Sequence, residues 1–210
     1  MLSLSKRHQS AQVSDKLIKR KQSMRDQLRI AIFTVVEGVA LVAWLALVRS
    51  DAGIYQVSTS SLVAGLAVLA VGFTVEHIVA YNVIHGRGLL ELQGAPIGQK
   101  AVVSLIETAI WALWLVLANL NAIVAAVVLT GLLILEHTLS DNVFKGRGLF
   151  SRLLDARTIG FSMIEAAGAA IWLALVEANL AVVGVVILVV ASFIEHLLAV
   201  ALGRKETVNA

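Results

Sequence analysis

Long uninterrupted apolar runs divide this chain into six segments. The runs cover residues 30–48, 60–84, 101–118, 121–144, 158–178 and 180–202. Each approaches the roughly 20 residues that an α-helix needs to cross the hydrocarbon core of a bilayer. Apolar residues are continuous in these runs rather than alternating, which excludes the strands of a membrane β-barrel. The pattern predicts an all-α integral membrane protein with six transmembrane helices.

The overall composition agrees with this class. Of the 210 residues, 59% are hydrophobic and 15% are charged, and the chain contains one proline and no cysteine. A chain of this composition is typical of membrane-embedded proteins. The absence of cysteine excludes disulfides and thiolate metal sites.

The distribution of Lys and Arg predicts the orientation. With these helix ends, 16 of the 17 cations lie on one side of the membrane, in the N-terminal segment, the second and fourth loops and the tail. Arg49 lies on the other side. Short loops rich in cations remain cytoplasmic. We therefore expect both termini in the cytoplasm and the chain in the plasma (inner) membrane. This topology accounts for the net charge of +3, so nucleic acid is not an expected partner.

Residues 1–29 form a basic N-terminal segment that we expect on the cytoplasmic side. Val13, Leu17, Met24 and Leu28 recur at roughly helical spacing within it. Two interpretations are open: a helix lying on the anionic inner leaflet, or a solvated tail that only fixes topology.

The six segments pair into three similar hairpins, at 30–90, 101–150 and 158–205. The first helix of each reads FTVVEGVALVAW, VSLIETAIWALW or FSMIEAAGAAIW, and the second contains a Glu-His pair. The same residue types recur at the same spacing in each hairpin, as in membrane proteins built from internal repeats. The sequence therefore predicts three tandem hairpin repeats with a pseudo-threefold arrangement.

The repeated motifs place nine titratable side chains at one depth, roughly 12 to 14 Å from the cytoplasmic edge at 1.5 Å per helical residue. Adjacent residues on a helix diverge by about 100°, so the two side chains of each Glu-His pair can serve different neighbours. We name these nine residues the acid–histidine layer: Glu37, Glu76, His77, Glu107, Glu136, His137, Glu165, Glu195 and His196.

Six unpaired carboxylates within a bilayer would cost on the order of 15 kcal/mol. The predicted spans contain no Lys or Arg at that depth, so protons, the histidines, metal ions or a partner chain must compensate. Carboxylate and imidazole ligands suit iron, manganese or zinc better than copper(I). We therefore expect one or more of these metal ions at the layer, while protonated, hydrogen-bonded acids are the purely structural alternative.

Other polar and aromatic positions accompany the layer and are predicted to support it. The hydroxyl and tryptophan of each first helix share a face with its glutamate. The tryptophans could also form an interfacial belt, and the asparagines could simply end helices. These supporting positions are Thr34, Ser104, Ser162, Trp44, Trp114, Trp172, Asn82 and Asn142.

The loop ends of the hairpins contain a second repeated feature. GRG occurs at 86–88 and 146–148, where we expect C-terminal glycine caps. The third hairpin departs from the pattern, because Ala201 replaces the asparagine and GRK replaces GRG, so we expect an earlier turn there.

The outer halves of the helices contain no charged residue. A cation pathway needs polar groups along its whole length, so the layer is predicted to be a blind site, reached from the cytoplasm or from lipid. The leading hypothesis is a metal centre doing redox or hydrolytic work on a lipid-phase small molecule.

Three alternatives remain open. The histidines could bind haem or a chlorophyll-type pigment in an energy-transducing complex. The acids could belong to a proton or divalent cation transporter. The chain could also be a structural subunit, and either a homo-oligomer or a larger membrane complex is compatible with its glycine-rich helices.

Overall fold

The computed structural model describes residues 24–25, 27–47, 58–93 and 96–208. In these ranges six helices are long and apolar enough to span a membrane, as the hydropathy pattern predicts. Most of the basic N-terminal segment, and Arg49, lie outside the described residues. The helices are α1 (Gln27–Leu47), α2 (Thr59–Ile84), α3 (Ile97–Leu120), α4 (Ala122–Phe144), α5 (Thr158–Glu177) and α6 (Ala181–Val208).

The GRG sequences end α2 and α4 as predicted. Gly86 and Gly146 have φ of 67° and 65°, a left-handed conformation that glycine adopts without a steric cost. The amide of Arg87 donates to the carbonyl of Asn82 at 2.7 Å, and that of Arg147 to Asn142 at 2.8 Å. These bonds close the last helical turn, the arrangement expected of a C-terminal glycine cap.

Two helix ends differ from the prediction. Helix α3 begins at Ile97, so Lys100 belongs to the first turn of a membrane span rather than to the loop. Helix α6 continues to Val208, so the GRK sequence at 203–205 is helical and the expected early turn is absent from the described part of the tail. Without a GRG sequence after it, the third hairpin has no glycine cap at this position, and its helix continues.

The six helices pack around a common interior. Successive helices from α2 to α6 are neighbours, and α2 also touches α6. Helix α1 lies against both: a Cβ on Gly72 of α2 would lie 2.3 Å from the Cβ of Ala40, and one on Gly38 would lie 3.0 Å from Val189 of α6. Glycine at 72 therefore allows the α1–α2 contact, which positions the first acid of the layer.

The interior has an apolar half on one side of the acid–histidine layer. All four tryptophans lie there, together with leucines such as Leu69, Leu129 and Leu188. We call this the outer side, and we call the opposite side, where residues 85–93 and 145–157 lie, the loop side. Large apolar side chains are exposed on the outside of the helices, including Val39, at 62%, and Val127, at 67%. Helices of this kind fit contact with a lipid bilayer.

Candidate metal centre

Every helix contributes to the acid–histidine layer, and all nine of its residues line one cavity of about 120 Å³. The six glutamates are buried, with exposures of 2% to 7%. A cavity needs roughly 10–15 Å³ to hold one water molecule, so this one has room for several waters or ions. The structure therefore brings together the residues that the repeated motifs singled out.

His77 of α2 lies among three carboxylates. Its Nδ1 is 3.0 Å from Glu76 Oε2 and 3.7 Å from Glu107 Oε2, and its Nε2 is 3.3 Å from Glu136 Oε1. Within this set, the Glu76–His77–Glu107 group has ligand atoms within 4.8 Å of one another. This buried group could hold a metal ion.

His137 of α4 also meets three carboxylates, all through Nε2. Glu165 Oε2 lies at 3.2 Å, and Glu136 Oε2 and Glu195 Oε1 both lie at 3.6 Å. One of these glutamates precedes the histidine on its own helix, and the other two come from α5 and α6.

His196 of α6 has a corresponding set of neighbours. Its Nε2 is 3.2 Å from Glu195 Oε2 and 3.8 Å from both Glu37 Oε2 and Glu76 Oε1. Each histidine thus faces the glutamate before it in sequence and two glutamates from two other helices.

Three hydroxyl groups contact the Nδ1 atoms of the histidine rings. Thr34 Oγ1 is 2.9 Å from His196 Nδ1, and Ser162 Oγ is 2.9 Å from His137 Nδ1. Ser104 Oγ is 3.3 Å from His77 Nδ1. At His137 and His196 the hydroxyl contacts the nitrogen opposite the carboxylates, the arrangement that orients a metal-ligating histidine. At His77 the hydroxyl contacts the same Nδ1 that faces Glu76 and Glu107. The three hydroxyls predicted to support the layer therefore contact its histidines.

Two buried carboxylate oxygens of the layer accept no hydrogen bond: Glu37 Oε2 and Glu107 Oε2. Buried polar atoms in proteins nearly always have a partner, so an unpartnered carboxylate oxygen beside a cavity calls for a ligand. Both residues line the cavity. A cation held there would satisfy these oxygens.

The predicted tryptophans and asparagines lie elsewhere. Trp44, Trp114 and Trp172 are 1% to 2% exposed and belong to the apolar core, so they pack between helices instead of facing lipid headgroups. Asn82 and Asn142 each donate two hydrogen bonds to backbone carbonyls of the loop that follows their helix. The two asparagines therefore anchor the loops. The tryptophans close the outer side of the layer.

Lys100 is a functional candidate that the sequence analysis missed. Its side chain is buried, its Nζ donates to the carbonyl of His77 at 3.0 Å, and it lies 3.6 Å from the centre of the Tyr81 ring. The sequence placed this residue in a loop because four residues, starting with the proline-flanked Ile97, precede the apolar run. The sequence does show that Lys100 lies one helical turn before Ser104, and this spacing could have indicated that it belongs to the helix.

The cavity extends from the layer toward the loop side. Phe33, Phe144 and Phe161 line it, and the ring of Phe33 lies 4.5 Å from that of His196. Asp155 and Arg157 line the cavity too and form an ion pair beside the N-terminus of α5. The hydrogen-bonded Arg157 guanidinium holds the pKa of the Asp155 carboxyl well below its ordinary value. A solute entering from the loop side would pass these charges and then the aromatic rings.

Comparison of the chain with protein-family models, with curated proteins and with solved structures found no match.

Proposed function

We propose that this chain is a membrane-embedded metalloprotein whose acid–histidine layer holds iron, manganese or zinc and does redox or hydrolytic work on a lipid-phase substrate. One observation supports this most directly: each histidine of the layer faces three buried carboxylates, while two carboxylate oxygens in the same cavity accept no hydrogen bond. Oxygen-rich sites with imidazole suit these metals.

The cavity wall supports a small, largely apolar substrate. Toward the loop side the aromatic and aliphatic residues Phe33, Phe144, Phe161, Ala199 and Val200 line the cavity next to charged ones, which include Asp155 and Arg157. Pockets of this kind bind ligands through apolar walls and orient them with a few polar groups. Metal ions at the layer would supply Lewis-acid or redox chemistry, while the wall would hold the substrate against them.

The apolar core on the outer side favours a blind site over a transport pathway. Trp44, Trp111, Trp114 and Trp172 are each at most 2% exposed and fill the space beyond the layer. Ions crossing a membrane need polar partners along their route. The alternative of a proton or divalent cation transporter would require this packed region to open.

The histidine contacts favour a metal centre over a tetrapyrrole site. In His137 and His196 the Nε2 atom faces carboxylates and the Nδ1 atom contacts a hydroxyl. An axial ligand to haem or chlorophyll instead needs one ring nitrogen directed at an apolar slot wide enough for the macrocycle. Neither histidine offers a nitrogen in that arrangement.

The proposal includes three hairpin repeats arranged around a pseudo-threefold axis, with both termini in the cytoplasm. The order of the contacts supports the repeats. The histidine of α2 meets glutamates of α3 and α4, and the histidine of α4 meets glutamates of α5 and α6. The histidine of α6 meets glutamates of α1 and α2. Each histidine thus reaches into the next hairpin, and the last reaches back to the first.

Elemental analysis of the detergent-purified full-length chain, with an absorption spectrum of the same sample, tests the proposal. We expect stoichiometric iron, manganese or zinc, no tetrapyrrole bands, and loss of metal in His77→Ala. His85→Ala is the matched control, because His85 directly follows α2, the helix of His77, and stacks on Tyr81 outside the layer. A metal-free protein that binds none of the three metals on addition would refute the proposal and favour a structural subunit.

A further inference from the structure

Each of the three histidines has three glutamates as neighbours, which face both ring nitrogens at His77 and Nε2 alone at His137 and His196. Glu76, His77 and Glu107 form the group with the closest ligand atoms. His137 and His196 each have three carboxylate oxygens within 3.8 Å of Nε2. The three carboxylate oxygens around Nε2 mark a further candidate metal position at each of these two histidines.

The hydroxyl contacts determine which nitrogen of His137 and His196 carries a proton. Ser162 and Thr34 each donate their single hydroxyl proton to a backbone carbonyl one turn earlier, at 2.9 and 3.0 Å. Their oxygens must then accept from Nδ1–H of the adjacent histidine. In a neutral ring this leaves a bare Nε2 lone pair facing three carboxylates. A bare lone pair facing ionised carboxylates is unfavourable, and a metal cation bound between them removes the repulsion.

Three glutamates face two histidines at once, with one oxygen toward each. Glu195 directs Oε1 to His137 and Oε2 to His196. Glu136 directs Oε1 to His77 and Oε2 to His137. Glu76 likewise directs Oε2 to His77 and Oε1 to His196. A carboxylate that bridges two metal ions uses its two oxygens in this way, as in paired-metal sites with ions about 3.5–4 Å apart.

Charge balance agrees with three ions. Six buried carboxylates carry six negative charges when ionised, and three divalent cations neutralise them with the histidines uncharged. Neutrality matters here because uncompensated charge within a membrane is costly. Glu37, Glu107 and Glu165 then serve as one terminal ligand for each ion, which satisfies the two carboxylate oxygens that accept no hydrogen bond.

We infer that the layer holds a cluster of three divalent metal ions, one at each of His77, His137 and His196, joined by Glu76, Glu136 and Glu195 as bridging ligands. This inference rests on the proposed metal centre and extends it from one position to three.

Titration of the metal-stripped, detergent-purified chain with Mn²⁺, followed by low-temperature electron paramagnetic resonance, tests the cluster. We expect three equivalents bound by the wild type, with the six-line signal of isolated Mn²⁺ lost because the bridged ions are magnetically coupled. His137→Ala should bind fewer equivalents, and His85→Ala should retain all three. Gel filtration of each variant shows whether it remains folded.

Glu195→Gln provides a milder second variant, since the amide preserves side-chain shape and can coordinate through only one oxygen. We expect this variant to recover part of the isolated-ion signal because one bridge is broken. A single equivalent that His77→Ala abolishes and His137→Ala leaves unchanged would overturn the cluster while leaving the proposed metal centre intact. Binding of no metal would overturn both.

Discussion

Glu107 allows a test in which the effect of one substitution on stability depends on whether metal is bound. Its Oε2 is buried and accepts no hydrogen bond, and the residue is 6% exposed. In the metal-free protein an uncompensated carboxylate at this depth costs about 2.5–3.5 kcal/mol. Replacing Glu107 with Gln removes the charge, keeps the shape and adds an amide donor for a neighbouring carboxylate. We therefore expect the metal-free variant to be more stable than the wild type.

The expected size of this effect follows from the cost of the charge. Recovering most of about 3 kcal/mol corresponds to a rise in melting temperature of about 6–12 °C for a chain of this length. With metal this advantage shrinks, because the variant has lost a ligand and gains less stability from the metal. A loss of about 10- to 100-fold in affinity removes about 1.4–2.7 kcal/mol of metal-dependent stabilisation.

Thermal unfolding in detergent, followed by tryptophan fluorescence with and without Mn²⁺, measures both effects. The buried tryptophans Trp111 and Trp114 lie on the same helix as Glu107 and report on its packing. Glu177→Gln is the control, since that acid is exposed at the end of α5 and should respond little in either state. The reasoning is refuted if Glu107→Gln does not stabilise the metal-free protein, or if Mn²⁺ raises both melting temperatures equally.

Three further predictions concern packing, pH and topology. Gly72→Val should destabilise the protein by about 1–3 kcal/mol, because its Cβ would clash with helix α1, whereas Gly131→Val should not, since a Cβ there meets nothing within 4 Å; equal melting temperatures would contradict the α1–α2 contact. Asp155→Asn should lower stability by at most about 1 kcal/mol at pH 7. Because the pKa of Asp155 is depressed in the folded state, its contribution is present at neutral pH and is lost progressively as the pH falls from about 4 toward the folded-state pKa, so the difference between the two unfolding curves should shrink over that range; a difference that stays constant over that range would contradict this. Cysteine at Ser60 should react with an impermeant reagent added outside intact cells and cysteine at Gly148 should not, and equal labelling would refute cytoplasmic termini.

Local sequence patterns predicted the features that depend on neighbouring residues along the chain. Apolar runs long enough to cross a bilayer predicted six helices, and the described part of the chain contains six such helices. The left-handed conformations of Gly86 and Gly146 also followed from sequence, because a glycine after an apolar run is the residue that ends a helix without steric cost. Hydropathy and backbone conformation are local properties, so a single sequence discloses them.

The same reasoning misjudged residues at helix ends and interfaces. Lys100 was assigned to a loop by hydropathy, yet the helix starts earlier and buries its side chain against Tyr81 and the carbonyl of His77. For the tryptophans the sequence left two positions open, beside the layer or at the lipid interface, and the structure packs them in the core. A long amphipathic side chain can be buried or exposed according to the helix beside it, and its own segment does not identify that helix.

Partner choice within the acid–histidine layer was decided by tertiary structure alone. The sequence showed nine titratable groups at a common depth, but not that His77 would meet Glu107 and Glu136, nor that Glu195 would direct one oxygen to each of two histidines. Depth follows from counting residues along a helix. Which groups touch depends on the order, rotation and spacing of helices around the interior, and these are set by close contacts such as that between Ala40 and Gly72.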